Sequence, residues 1–157
     1  RELEIPETVP NIKAAAFTGC SSLKTIVIPK GVKSLPRNLL GNSYSDAYGL
    51  FAKCSALESV TLPDGLENIR EGAFYSCIKL KEIKLPPTVK TIDKNAFNGC
   101  SSLEEIRIPS SVQSIGGNAF EECTSLPTIT LPSTITSLGK RVFSLCSSLS
   151  NNFTTSF

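Results

Sequence analysis

The 157-residue chain has no histidine, no methionine and no tryptophan, and only three tyrosines. Without histidine, a Ser/His/Asp or Cys/His catalytic arrangement is excluded. No G-x-x-x-x-G-K or G-x-G-x-x-G stretch is present to cradle a phosphate. The net charge of +2 is too small to point to nucleic acid or an anionic membrane. No apolar run reaches the about 20 residues that a bilayer-crossing helix needs, so membrane insertion by this segment is not expected. With no methionine and an opening of Arg1-Glu2-Leu3-Glu4-Ile5, which is not a signal peptide, the chain reads as a fragment of a longer protein. No enzyme and no cofactor are expected.

What is present is one unit repeated. Between Phe97 and Phe120 the sequence follows F-x-x-C-x-x-L-x-x-I-x-I-P-x-x-V-x-x-I and returns to phenylalanine after 23 residues. Aligning the phenylalanines and cysteines gives Phe17/Cys20, Phe51/Cys54, Phe74/Cys77, Phe97/Cys100, Phe120/Cys123 and Phe143/Cys146, the last five cysteines each 23 apart. The prolines keep step at Pro6, Pro29, Pro63, Pro86, Pro109 and Pro132. A short period of this kind is the mark of a solenoid, whose units bury their apolar edges only against their neighbours.

The alternating apolar pair predicts strands at Thr25–Ile28, Ser59–Leu62, Glu82–Leu85, Glu105–Ile108 and Thr128–Leu131, one face inward. They come from the same point of each coil, so they stack parallel, about 4.8 Å apart. Proline after each strand has no N–H for a ladder and ends the pairing. The L-x-x-I-x-I core is the leucine-rich-repeat strand pattern. The other half of each coil carries glycines and is too short for a long helix, which leaves a brief extended piece and a turn of 3₁₀ or α type. The expected fold is therefore a β-rich solenoid, a right-handed leucine-rich-repeat coil with parallel strands on one face and short turns or 3₁₀ segments on the other. It reads as a single domain over residues 1–157 with about six repeats.

One unit is long. Cys20 and Cys54 are 34 residues apart, an insertion of eleven within 36–50. Leu40 and Phe51 both stand where the aromatic slot could be filled. The surplus is polar and turn-prone, and is expected to leave the coil as a surface loop. From 150 to 157 the pattern becomes irregular, with Asn152, Thr154 and Thr155 where apolar residues are due.

All six cysteines hold one equivalent position, so they form a column up the stack. Their parallel side-chain directions do not suit the dihedral of a relaxed disulfide, and a buried column of free thiols is expected. With no C-x-x-C, no metal is expected. The carboxylate pairs Glu104/Glu105, Glu121/Glu122 and Glu67/Glu71 fall at positions read as outward, on a solvated face.

The outward strand positions form a ladder: Glu2/Glu4, Thr25/Val27, Ser59/Thr61, Glu82/Lys84, Glu105/Arg107 and Thr128/Thr130. Its charges are expected to pair across the surface. It carries no aromatic residue, whereas the insertion holds Tyr44 and Tyr48, and rigid aromatics are efficient contact residues. The candidate protein-binding residues are thus Tyr44, Tyr48, Glu82, Lys84, Glu105 and Arg107, with the insertion expected to carry more of the affinity.

The stretch Ile108 to Leu126, with its proline, Asn-Ala-Phe corner and cysteine in register, resembles the BspA-like leucine-rich repeat family. Pro36, Arg70 and Asp93 depart from the glycine that the family tends to place after the isoleucine. The resemblance implies an extracellular or cell-surface location and a non-enzymatic role in binding host or extracellular proteins. The alternative is a rigid spacer that displays another domain. A monomer is favoured.

Overall fold

The computed structural model describes residues 1–36 and 49–150 and the backbone of 154–156. The insertion residues 37–48, with Leu40, Tyr44 and Tyr48, lie outside the described residues.

The chain winds as a parallel solenoid with a 23-residue step. One side carries β1 (Glu2–Glu4), β2 (Thr25–Val27), β3 (Ser59–Thr61), β5 (Glu82–Ile83), β7 (Glu105–Ile106), β9 (Thr130–Pro132) and β11 (Thr154–Ser156). Their parallel pairing runs β1-β2-β3, β5-β7 and β9-β11. The opposite side carries a second parallel ladder, β4 (Asn68–Ile69), β6 (Thr91–Ile92), β8 (Ser114–Ile115) and β10 (Ser137–Leu138). This is the brief extended piece expected in the other half of each coil, and it falls on the last two residues of V-x-x-I. No helix, α or 3₁₀, occurs among the described residues; hydrogen-bonded turns join the two ladders instead.

Those turns are spelled by the repeat. The proline that closes each strand uses its carbonyl to accept the N–H three residues on: Val32 donates to Pro29 at 3.1 Å, Leu66 to Pro63 at 3.0 Å and Val112 to Pro109 at 3.0 Å. Proline fails as a ladder donor but serves as a turn acceptor. Cys20, Cys54, Cys77 and Cys100 likewise donate their N–H to Phe17, Phe51, Phe74 and Phe97, each at 3.1 Å.

Each F-x-x-C turn needs its third residue at positive φ. That residue is Gly19 (+72°) or Gly99 (+74°) in two coils, but Lys53 (+61°), Ser76 (+55°), Glu122 (+60°) and Leu145 (+60°) in the others. A non-glycine residue there costs about 1–2 kcal/mol. Repetition of the turn in every coil shows that the surrounding stack over-determines it.

The core is continuous. Leu57, Leu80, Leu103 and Leu126, and Phe51, Phe74, Phe97 and Phe120, are all fully buried. The six rings form one stack with centroids 5.3–5.6 Å apart and interplanar angles of 7–16°. Phe51 stands between Phe17 and Phe74, so it fills the aromatic slot of the long unit. Ile108 is only partly buried.

Most of the observed strands are shorter than the sequence suggests. β5 and β7 end at Ile83 and Ile106, two residues early. β9 begins at Thr130 rather than Thr128. β11 pairs with β9 in the register Thr154↔Thr130, a step of 24 rather than 23, although its residues are polar.

Candidate functional site

In strands of period two, alternate residues face opposite ways. Ile26, Val60, Ile83, Ile106 and Ile129 point into the core and are 2–7% exposed, which turns their neighbours outward. The register stacks Glu2, Thr25 and Ser59 in one row and Glu4, Val27 and Thr61 in another. Glu82 lies directly opposite Glu105. Glu82, Lys84, Glu105 and Arg107 are all exposed and share one groove of about 510 Å³ with Ser59, Val60, Ile83 and Ile106.

The charges on this face are paired less than expected. Arg107 reaches back along its own strand to Glu105 at 3.3 Å, with side chains 93% and 66% exposed, a contact worth about 0–1 kcal/mol. Glu82 and Lys84 have no ion pair among the described residues, and like charges directly opposite oppose each other. The face therefore presents incompletely neutralised charge on a rigid backbone. Ion pairs on other parts of the stack hold coil to coil: Lys24 to Glu58 at 3.5 Å, Lys90 to Glu67 at 3.1 Å, and Arg70 to Asp93 at 3.5 Å.

The six cysteines are free thiols in one column, but not uniformly buried. Cys54, Cys77, Cys100 and Cys123 are buried, Cys146 is half-buried and Cys20 is exposed. Each thiol from Cys54 onward donates to the carbonyl of the phenylalanine one coil back. The acceptors are Phe17 (3.0 Å), Phe51 (3.1 Å), Phe74 (3.1 Å), Phe97 (3.3 Å) and Phe120 (3.0 Å). Burial pushes the Cys54 thiol up to about 11. Burial, and then neighbouring thiols, push Cys77, Cys100 and Cys123 higher still. These are inert structural thiols, because the thiolate is the reactive form. No group of three or more His, Cys, Asp or Glu side chains able to hold a metal occurs among the described residues.

Glu121 corrects the reading of the carboxylate pairs. It is 6% exposed, not solvated, and its carboxylate accepts from the side-chain amides of Asn98 and Asn118 and from the Arg141 guanidinium. A buried carboxylate needs such partners. Comparing equivalent positions between coils would have shown that Asn98 lies one coil before it and Arg141 three residues short of one coil after it. Glu104, Glu105 and Glu122 are exposed as expected.

The sequence matches the profile of the BspA type leucine rich repeat region in six copies, over residues 1–48 and 47–157. No curated protein sequence matches it. Among solved structures it is similar to a leucine rich cell surface protein from Faecalibacterium prausnitzii. Identity there is 34% and the TM-score 0.72, covering 82% of this chain and 31% of that one. It is also similar to the leucine-rich repeat protein of T. pallidum, with 26% identity and a TM-score of 0.76 over 96% of this chain and 78% of that one. A leucine-rich repeat protein from Eubacterium ventriosum is 25% identical, with a TM-score of 0.74 over 94% of this chain and 37% of that one. The chain thus spans about a third of the length of the F. prausnitzii protein. Repeat sequence, coil geometry and structural neighbours agree: the chain belongs to the BspA-type leucine-rich repeat family.

Proposed function

We propose that this chain is a non-enzymatic protein-binding module of a cell-surface protein, acting in adhesion to host or extracellular proteins. The observation that carries the reading is the outward strand ladder, where Glu82, Lys84, Glu105 and Arg107 are exposed together in one groove on a stacked backbone. Such an array binds with little ordering cost, which is how solenoids commonly serve protein recognition. A surface location is supported by the name of the F. prausnitzii neighbour, a leucine rich cell surface protein. Among the described residues no helix is long and apolar enough to cross a membrane. Tyr44 and Tyr48 are the proposed aromatic contribution from the insertion.

The test is capture of extracellular-matrix and epithelial surface proteins on the immobilised chain, washed at high salt. Retention of a defined partner is the expected outcome. Silence across matrix and epithelial proteins would reduce the chain to a rigid spacer and overturn the proposal.

A further inference from the structure

The strand ladder is interrupted between β3 and β5 and again between β7 and β9, and at the second interruption the chain itself lacks a donor. In three coils the residue after the inward leucine sends its N–H to the carbonyl of its equivalent one coil earlier. Lys24 donates to Arg1 at 2.9 Å, Glu58 to Lys24 at 2.8 Å and Glu104 to Lys81 at 2.8 Å. The next residue in that column is Pro127, which has no N–H. Pairing resumes only at Thr130, and Ser150 again donates to the Pro127 carbonyl at 3.2 Å. At the break a groove of about 770 Å³ opens between the two coils, larger than its 510 Å³ neighbour and within the range of about 300–1,000 Å³ typical of ligand sites.

The lining is rich in acceptors. The Glu104 carbonyl receives no N–H from position 127, and the Glu104 carboxylate has no ion pair among the described residues. Glu58, in the same column, is held by Lys24 at 3.5 Å. Arg107 also lines the groove, and its charge is met by Glu105 at 3.3 Å, which leaves Glu104 as the uncompensated charge of the lining. Pro127, Pro132 and Ile108 give aliphatic walls, and Thr128 stands beside them. No aromatic ring lines the groove, which removes the stacking platform a sugar would use. An aliphatic stem with a cationic, multi-donor head fits both parts of this chemistry.

We infer that the groove at Pro127 is the docking site for an extended segment of a protein partner presenting an arginine or lysine side chain. The stem lies against the proline walls and the head meets Glu104. This rests on the reading of the strand face as a protein-binding surface and names the part of it that selects the partner.

The experiment is an NMR titration of the ¹⁵N-labelled chain with the capped peptide GSTRTSG and its counterparts carrying Glu or Ala in place of Arg. The arginine peptide should shift amides in 104–110 and 128–134, and the glutamate peptide should not. Glu104→Gln should weaken binding about threefold to fivefold, the size of an exposed ion pair. Pro127→Thr restores the missing donor without adding charge, so the amide at 127 should become exchange-protected, the groove should close and the shifts should vanish. Equal shifts from all three peptides, or normal binding by a folded Pro127→Thr chain, would overturn the inference. So would an arginine peptide that leaves 128–134 unmoved while the same chain still captures a partner protein, a result that spares the wider binding proposal. An arginine-specific shift without any protein capture supports the groove and counts against the wider proposal alone.

Discussion

Replacing Phe97 by alanine removes the middle of the ring stack. Phe97 is fully buried and faces Phe74 and Phe120 at 5.3 Å each, with interplanar angles of 8° and 7°. Loss of a buried phenylalanine side chain costs about 3–5 kcal/mol, because the neighbours close the cavity only in part. Collapse is hard here: the ring is clamped by inter-coil hydrogen bonds from Phe74 to Ala96 and from Phe97 to Ala119, both 2.8 Å. Against a total stability of about 5–15 kcal/mol, that is a large fraction. Phe17, half-buried and stacked on Phe51 only among its described neighbours, is the internal control, and its alanine variant should lose about 1–2 kcal/mol. Urea unfolding followed by circular dichroism measures both, with equal m-values confirming that only stability changed. A Phe97→Ala loss below about 1.5 kcal/mol, or one no larger than that of Phe17→Ala, would refute the claim that the ring stack is the structural spine.

The thiol column makes two expectations. Native protein should label quickly at Cys20 and slowly at Cys54, Cys77, Cys100 and Cys123, with six alkylated thiols after non-reducing denaturation; mass spectrometry that found disulfides would contradict it. Burial raises the folded-state values of these thiols above the unfolded value of about 8.5. Stability should therefore be full below about pH 8.5 and fall as the pH rises toward the folded values, by about 1.4 kcal/mol per pH unit for each fully buried thiol. Alanine at Cys77 and Cys100 should flatten that slope in urea titrations at pH 8 to 10.5. Leu145 sits at a φ of +60° with 62% exposure, so Leu145→Gly should raise stability by about 1 kcal/mol; no rise in the urea midpoint would show that the turn carries no strain. Deleting the surplus residues of the insertion should leave the fold standing and weaken partner binding about tenfold, or about 1.4 kcal/mol. Replacing Lys84 and Arg107 together should matter less, and the reverse order in a binding titration would move the dominant contacts to the strand ladder.

Much of the coil is legible in the sequence because each coil repeats the same demands. The inward leucine, the apolar pair, the closing proline and the phenylalanine corner recur at one period, and stacking them leaves a single consistent arrangement. What stays hidden are relations between equivalent positions in different coils. Phe51 and Leu40 are both compatible with the spacing of the long unit, and only the geometry of the ring stack selects Phe51. Glu121 looks like a surface residue because glutamate is polar. Its burial depends on Asn98 and Arg141, which lie 23 residues before it and 20 after it. Pro127 reads as an ordinary strand leader until its position is compared with Lys24, Glu58 and Glu104, which all donate there. The candidate binding residues divide in the same way. The structure brings Glu82, Lys84, Glu105 and Arg107 into one groove, whereas Tyr44 and Tyr48 belong to residues whose placement the repeat does not dictate.

The most direct measurement is an amide hydrogen-exchange footprint of the chain, free and bound to a partner captured from extracellular-matrix or epithelial surface protein. Binding through the proposed face should add protection to β3, β5 and β7, to residues 128–130, and to the insertion at 37–48. The second ladder of β4, β6, β8 and β10 should remain unchanged. Protection confined to that second ladder, or a captured partner that protects neither the strand face nor the insertion, would contradict it.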